Sequence, residues 1–173
     1  MTFDASEALN EALQAEQEGF EMYRKAAEAT RYKLGKEMFL SLAEDETSHM
    51  RMIEQIARGM GLDAALDEAR EGMPSDRIKT VLSDMKGDIS GRLAVCADEL
   101  EAIKLGMDVE NRSIRAYSRH AENADNEAER ELFKKLTAEE EQHYQILKNV
   151  HQYLENTGEW FLWEEEGLLD GGA

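Results

Sequence analysis

Phe39-Leu-Ser-Leu-Ala-Glu-Asp-Glu46-Thr-Ser-His49 and Phe133-Lys-Lys-Leu-Thr-Ala-Glu-Glu140-Glu-Gln-His143 are two versions of one pattern, set 94 residues apart. The phenylalanine, a leucine (Leu42, Leu136), the glutamate and the histidine coincide. The same offset carries Glu16 onto Glu110, Tyr23 onto Tyr117, Ala27 onto Ala121 and Glu28 onto Glu122. Each half of the chain is therefore one helical hairpin that cannot bury its apolar face alone. Packing the two halves together closes a core, with an approximate two-fold axis on which the paired polar residues meet.

Working outward, four long segments carry helical periodicity: about 6–31, 36–60, 98–123 and 126–156. The composition agrees. The chain has 173 residues with one proline, Pro74, and few aromatic or β-branched residues, which favours helix over strand. Its length is that of one domain and is sufficient to bury a core without disulfides. Gly35 and Gly61 punctuate the first pair of helices, Asn126 is placed to cap the fourth, and Asn156-Thr-Gly158 marks its end. Residues 61–97 hold Gly72, Pro74, Gly87 and Gly91, so this stretch is a broken connection, with short helical pieces near 63–70 and 75–85. A connection this long carries the chain across the bundle. The expectation is an all-α protein: a ferritin-like four-helix bundle of two helical hairpins joined by a long crossover, spanning 1–158. A short tail, 159–173, follows. Its Trp160, Phe161 and Trp163 are expected to pack on the bundle or on a partner subunit.

Along each helix the inward stripe is apolar except at one level. The first helix reads Leu9, Leu13, Glu16, Phe20, Tyr23; the second Phe39, Leu42, Glu46, His49, Ile53. The third reads Ile103, Met107, Glu110, Ile114, Tyr117; the fourth Phe133, Leu136, Glu140, His143, Leu147. Every helix thus offers a glutamate to the core at that level, and two add a histidine on the same face three residues on.

An unpaired carboxylate moved out of water costs several kcal/mol, roughly, even after relaxation, and four crowded together repel one another. Two divalent cations balance four carboxylates with two neutral histidines. In each Glu-x-x-His pair the carboxylate can bridge two metals while the imidazole caps one; Glu16 and Glu110 then close the site. Carboxylate and imidazole donors suit two iron ions, with manganese or zinc as alternative loads. One glutamate from each of two helices plus two Glu-x-x-His motifs is the pattern of di-iron and di-manganese carboxylate bundles. The competing reading is a buried Glu–His salt-bridge network that fixes helix register. Tyr23 and Tyr117, about two turns beyond Glu16 and Glu110, can hydrogen-bond a ligand carboxylate or simply fill the core.

The remaining polar residues are expected to be solvated. By helical phase these include Glu44 and Asp45 beside Glu46, and Glu139 and Glu141 beside Glu140. His120 is expected on the surface of the third helix and His151 near the end of the fourth. The net charge of −18 disfavours nucleic acid and anionic membranes as partners. The single cysteine, Cys96, builds neither an intrachain disulfide nor a thiolate cluster and is expected to be a small buried or half-buried residue. With no basic-then-apolar start and no long apolar span, the expected compartment is the cytoplasm.

At Ala15-Glu-Gln-Glu-Gly-Phe-Glu-Met-Tyr23, Glu46-Thr-Ser-His49, Val109-Glu-Asn-Arg-Ser-Ile-Arg-Ala-Tyr117 and Glu140-Glu-Gln-His143 the chain resembles the rubrerythrin branch of the ferritin-like superfamily, over about residues 5–156. The resemblance implies that Glu16, Glu46, His49, Glu110, Glu140 and His143 ligate a non-haem di-iron centre. It implies reduction of hydrogen peroxide in defence against oxidants, and a homodimer or larger assembly. Two departures stand out. Many members carry a four-cysteine rubredoxin-like domain; one cysteine cannot build it, so an external electron donor is implied. Many also carry a further glutamate one turn from the third-helix ligand, where this chain has Met107 and Ser113. Iron oxidation and storage is the alternative activity.

Overall fold

The computed structural model describes residues 5–31, 33–59, 93–94, 97–157 and 159–160. Four helices account for nearly all of them: α1 (Ala5–Ala29), α2 (Lys33–Ala57), α3 (Ala97–Asn123) and α4 (Glu127–Thr157). Helix α1 packs chiefly on α2 and α3 on α4, and the two hairpins meet through α1 on α3 and α2 on α4. This is a four-helix bundle built as the repeat requires. Two-residue strands, β1 (Leu93–Ala94) and β2 (Glu159–Trp160), pair antiparallel. This small ladder was not foreseen; it ties the chain just after α4 to the approach to α3. The rest of the crossover, with Pro74, Cys96 and the stretches expected as two short helical pieces, lies outside the described residues, as does the tail beyond Trp160. No helix among the described residues is long and apolar enough to cross a membrane.

The ends of the elements have local causes. Asn126 caps α4 by accepting from the Glu129 amide at 3.1 Å, while its own amide donates to the Glu129 carboxylate at 2.6 Å. Helix α2 closes at Gly59, whose φ of 83° is a left-handed turn that a side chain would strain. One expectation is corrected: the break between α1 and α2 is not at Gly35. That residue is buried inside α2. Helix α1 instead ends where the Thr30 hydroxyl and amide both donate to the Ala26 carbonyl. A glycine inside a helix costs only about 1 kcal/mol against alanine, and tertiary packing overrides that.

The core is divided in two. At one end Tyr23, Phe39, Leu42, Ile103 and Leu147 cluster; at the other Leu9, Ile53, Tyr117, Phe133 and Leu136 do so. On every helix the residues that separate the two clusters are the polar ones. The apolar ends hold the bundle together and close off a polar layer at its centre.

Candidate metal centre

The six residues singled out by the seam meet in that layer. Glu16, Glu46, His49, Glu110, Glu140 and His143 are each 5% exposed or less. Their side-chain atoms form two overlapping sets, Glu16–Glu46–His49–Glu140 and Glu46–Glu110–Glu140–His143. Within each set one donor atom per residue lies within 4.8 Å of all the others. Glu46 and Glu140 belong to both sets, so these two carboxylates stand between two adjacent cation positions. His49 turns Nδ1 inward, 3.0 Å from Glu16 Oε2, 3.2 Å from Glu140 Oε1 and 3.3 Å from Glu46 Oε2. His143 turns Nδ1 to Glu140 Oε2 at 3.0 Å and to Glu110 Oε1 at 3.6 Å. The two rings lie nearly parallel, 5.7 Å apart.

The far nitrogen of each ring is also held. His49 Nε2 is 2.8 Å from Glu139 Oε2, and His143 Nε2 is 3.0 Å from Asp45 Oδ2. Both acids were expected in solvent. Asp45 is in fact buried, and Glu139 is largely covered. Each stands one residue before an inward glutamate and reaches the histidine of the opposite hairpin, a contact that phase along a single helix does not reveal. The repeat carried the signal, because Asp45 and Glu139 are related by the same 94-residue offset. Glu44 and Glu141 are exposed, as expected.

The tyrosines reach across between hairpins too. Tyr117 donates to Glu16 Oε1 at 2.6 Å, and Tyr23 donates to Glu110 Oε1. Burial, then the facing carboxylate, pushes both phenols well above their ordinary range, so each hydroxyl remains a donor. Room for the layer is made at Gly19, where a Cβ would sit 3.2 Å from Glu46 Cδ and Oε1.

Electrostatically the layer is tense. Burial and the neighbouring Glu140 push Glu110 up to about 8; burial, Glu140 and Glu16 push Glu46 well above its usual range. Burial works against charge on the histidines, but the surrounding carboxylates more than offset it and hold both high. Burial raises Glu140 too, yet the two histidines bring it well below the carboxylate norm. For Glu139, burial is outweighed by His49 and Lys135, leaving it at about 2. Carboxyls and imidazoles that retain protons in order to coexist are groups whose protons divalent cations can replace.

The other two histidines are outside this cluster. His120 is not on the surface as expected. It is buried with its ring 5.0 Å from that of Phe133 and Nε2 3.2 Å from Glu11 Oε2, and burial lowers its pKa. His151 is buried in α4, Nδ1 3.3 Å from Glu155 Oε2.

Four carboxylates and two inward Nδ1 atoms, in two sets that share two carboxylates, fit a pair of divalent ions in donor type, number and charge. Comparison with curated proteins and with solved structures returns no match. The family model described as rubrerythrin matches residues 7–151, a span that takes in α2 and α3, most of α1 and α4, and all six clustered residues. The chain belongs to the rubrerythrin family.

Proposed function

We propose that the protein is a di-iron oxidoreductase that reduces hydrogen peroxide to water with electrons from an external donor protein. The observation that carries this reading is the sharing of Glu46 and Glu140 between two buried donor sets, so that the six residues together would hold two ions. Iron held by these residues would supply two reducing electrons and Lewis acidity for peroxide reduction. The chain's own residues do the rest. Glu16 and Glu110 close the two positions from α1 and α3, oriented by Tyr117 and Tyr23. Asp45 and Glu139 accept hydrogen bonds from the Nε2–H groups, which fixes the tautomer and aims each Nδ1 lone pair inward. The apolar clusters above and below keep bulk water from the layer. We place the protein in the cytoplasm as a homodimer.

A second reading, oxidation and handling of ferrous ion, draws support from the net charge of −18, which gathers cations. One experiment separates the two. Protein loaded with ferrous iron under anaerobic conditions is mixed rapidly with hydrogen peroxide or with dioxygen. Oxidation of two irons per chain that is much faster with peroxide, and repeats when a reductant is supplied, supports peroxide reduction. Preference for dioxygen, with many ferrous ions oxidised per chain, supports iron handling and overturns the first reading.

A further inference from the structure

The repeat is broken directly behind the two histidines. Its 94-residue offset pairs Asp45 with Glu139 and Ser41 with Lys135. In one half, Glu139 accepts from His49 through Oε2, and its other oxygen is held by the Lys135 ammonium. In the other half, Asp45 accepts from His143 through Oδ2. Its Oδ1 is buried and has no hydrogen-bond partner among the described residues, and the same is true of the Ser41 hydroxyl one turn earlier. Exposure follows the same split: the Lys135 and Glu139 side chains are 24% and 18% exposed, those of Asp45 and His143 6% and 7%.

These differences act on the metal positions through the rings. A carboxylate that accepts a ligand imidazole's outer N–H raises the basicity of the inner nitrogen. One already paired with an ammonium has less charge to lend, and the ammonium cancels part of its field at the ion. A bare carboxylate in a sealed, low-dielectric setting acts at nearly full strength. The asymmetry is thus a full positive charge placed behind His49 and, among the described residues, absent behind His143.

We propose that Lys135 makes the two metal positions inequivalent, so that the position around His143 binds a divalent cation more tightly and fills first, and the position around His49 is the weaker. This rests on the reading of the polar layer as a two-metal centre. Lys135 touches no donor atom of that layer; it is a positioning residue that acts through Glu139.

The test is a calorimetric titration of metal-free protein with cobalt(II), followed also by the visible absorption of the bound ion. Wild type is expected to take up two ions in two steps, with affinities about 10-fold to 100-fold apart. Lys135→Met tightens the weaker step about tenfold and narrows the gap, and Lys135→Arg keeps the wild-type gap. Lys134→Met, which removes an equal charge from an exposed pair with Glu131, leaves the gap unchanged. Asp45→Asn weakens the tighter step and Glu139→Gln the weaker one. Two equal steps in wild type, or a Lys135→Met protein that leaves both constants unmoved or shifts no more than Lys134→Met, overturns the inference while the two-metal reading stands. No uptake of cobalt(II) by folded wild type overturns both.

Discussion

Tyr117 donates to Glu16 across 101 residues of sequence, at 2.6 Å, and Tyr23 makes the matching bond to Glu110. Each hairpin thus orients a carboxylate of the other, and the polar layer is braced by the interface that creates it. Replacing either tyrosine by phenylalanine keeps the ring and removes only the donor. The carboxylate left behind is buried and short of a partner, which costs about 1–3 kcal/mol in the metal-free protein. Loss of the bond also frees the carboxylate to leave its metal-facing rotamer. Tyr117→Phe and Tyr23→Phe are each expected to lower metal affinity about 10-fold to 100-fold, measured by titration, with helix content unchanged by circular dichroism.

The electrostatics of the layer predict a pH dependence with a definite sign. Glu46 and Glu110 have folded-state pKa values above the carboxylate norm of 4.5, and Glu110 sits at about 8. Above pH 4.5 the unfolded chain gives up these protons while the folded chain keeps them, so metal-free stability falls as pH rises toward 8. His49 and His143 are held above 6.5 and act in the same direction above that pH. Glu139 at about 2 and the lowered Glu140 act oppositely: their contribution is present above pH 4.5 and is lost as pH falls through their folded values. Urea unfolding of metal-free protein should therefore show greatest stability at about pH 4.5, with a decline as pH rises above it, steeper beyond 6.5 where the histidines join, and a decline as pH drops below it. Metal binding at pH 7 must expel the protons on these groups. Calorimetry in buffers of different ionisation enthalpy should report net proton release, and metal affinity should weaken as pH is lowered.

Gly19 allows metal binding to be changed with little change in metal-free stability. In an exposed helix interior, alanine exceeds glycine by roughly 1 kcal/mol. Here the added methyl would stand 3.2 Å from the Glu46 carboxylate, which must yield by a few tenths of an ångström. Glu46 is shared by both donor sets, so a small displacement is felt at both positions. Gly19→Ala is expected to leave metal-free unfolding within about 1 kcal/mol of wild type and to weaken both metal steps. An unchanged titration would show that Glu46 has slack to spare.

Which of these features a reader of the sequence can find depends on how each is encoded. Glu16, Glu46, Glu110 and Glu140 are legible because a charge in an apolar stripe is expensive, and the same expense recurs on four helices at one level. The helices themselves are legible from periodicity and from the scarcity of β-formers. Asp45, Glu139 and His120 are not, because each lies off the centre of its stripe, where phase alone reads as solvent. They are covered by the neighbouring hairpin, and how closely one hairpin approaches another is a property of packing rather than of either helix. Gly35 misleads for a related reason: its local preference for a break is weaker than the burial gained by continuing α2. The β1–β2 pairing joins residues far apart in sequence through two-residue segments too short to show any alternation.

The last prediction concerns what the polar layer does to the fold. Buried charged groups are stabilising only when fully compensated, and replacing them by apolar groups of similar volume is often neutral or stabilising by about 1–4 kcal/mol. Glu46 and Glu140 are near-completely buried and lie between two large apolar clusters. Changing both to methionine joins those clusters. It leaves the two histidines facing Glu16 and Glu110, a set that balances its own charge. The double variant is expected to bind no metal pair and, without metal, to resist urea better than metal-free wild type. Adding metal should reverse the order, because saturating ions stabilise only the protein that binds them: at 100 times the dissociation constant the gain is about 2.7 kcal/mol for each site. Unfolding curves for both proteins, with and without metal, decide the matter. If metal-free wild type proves the more stable, the glutamates act as a register-fixing salt-bridge network rather than as a layer strained for the sake of cations.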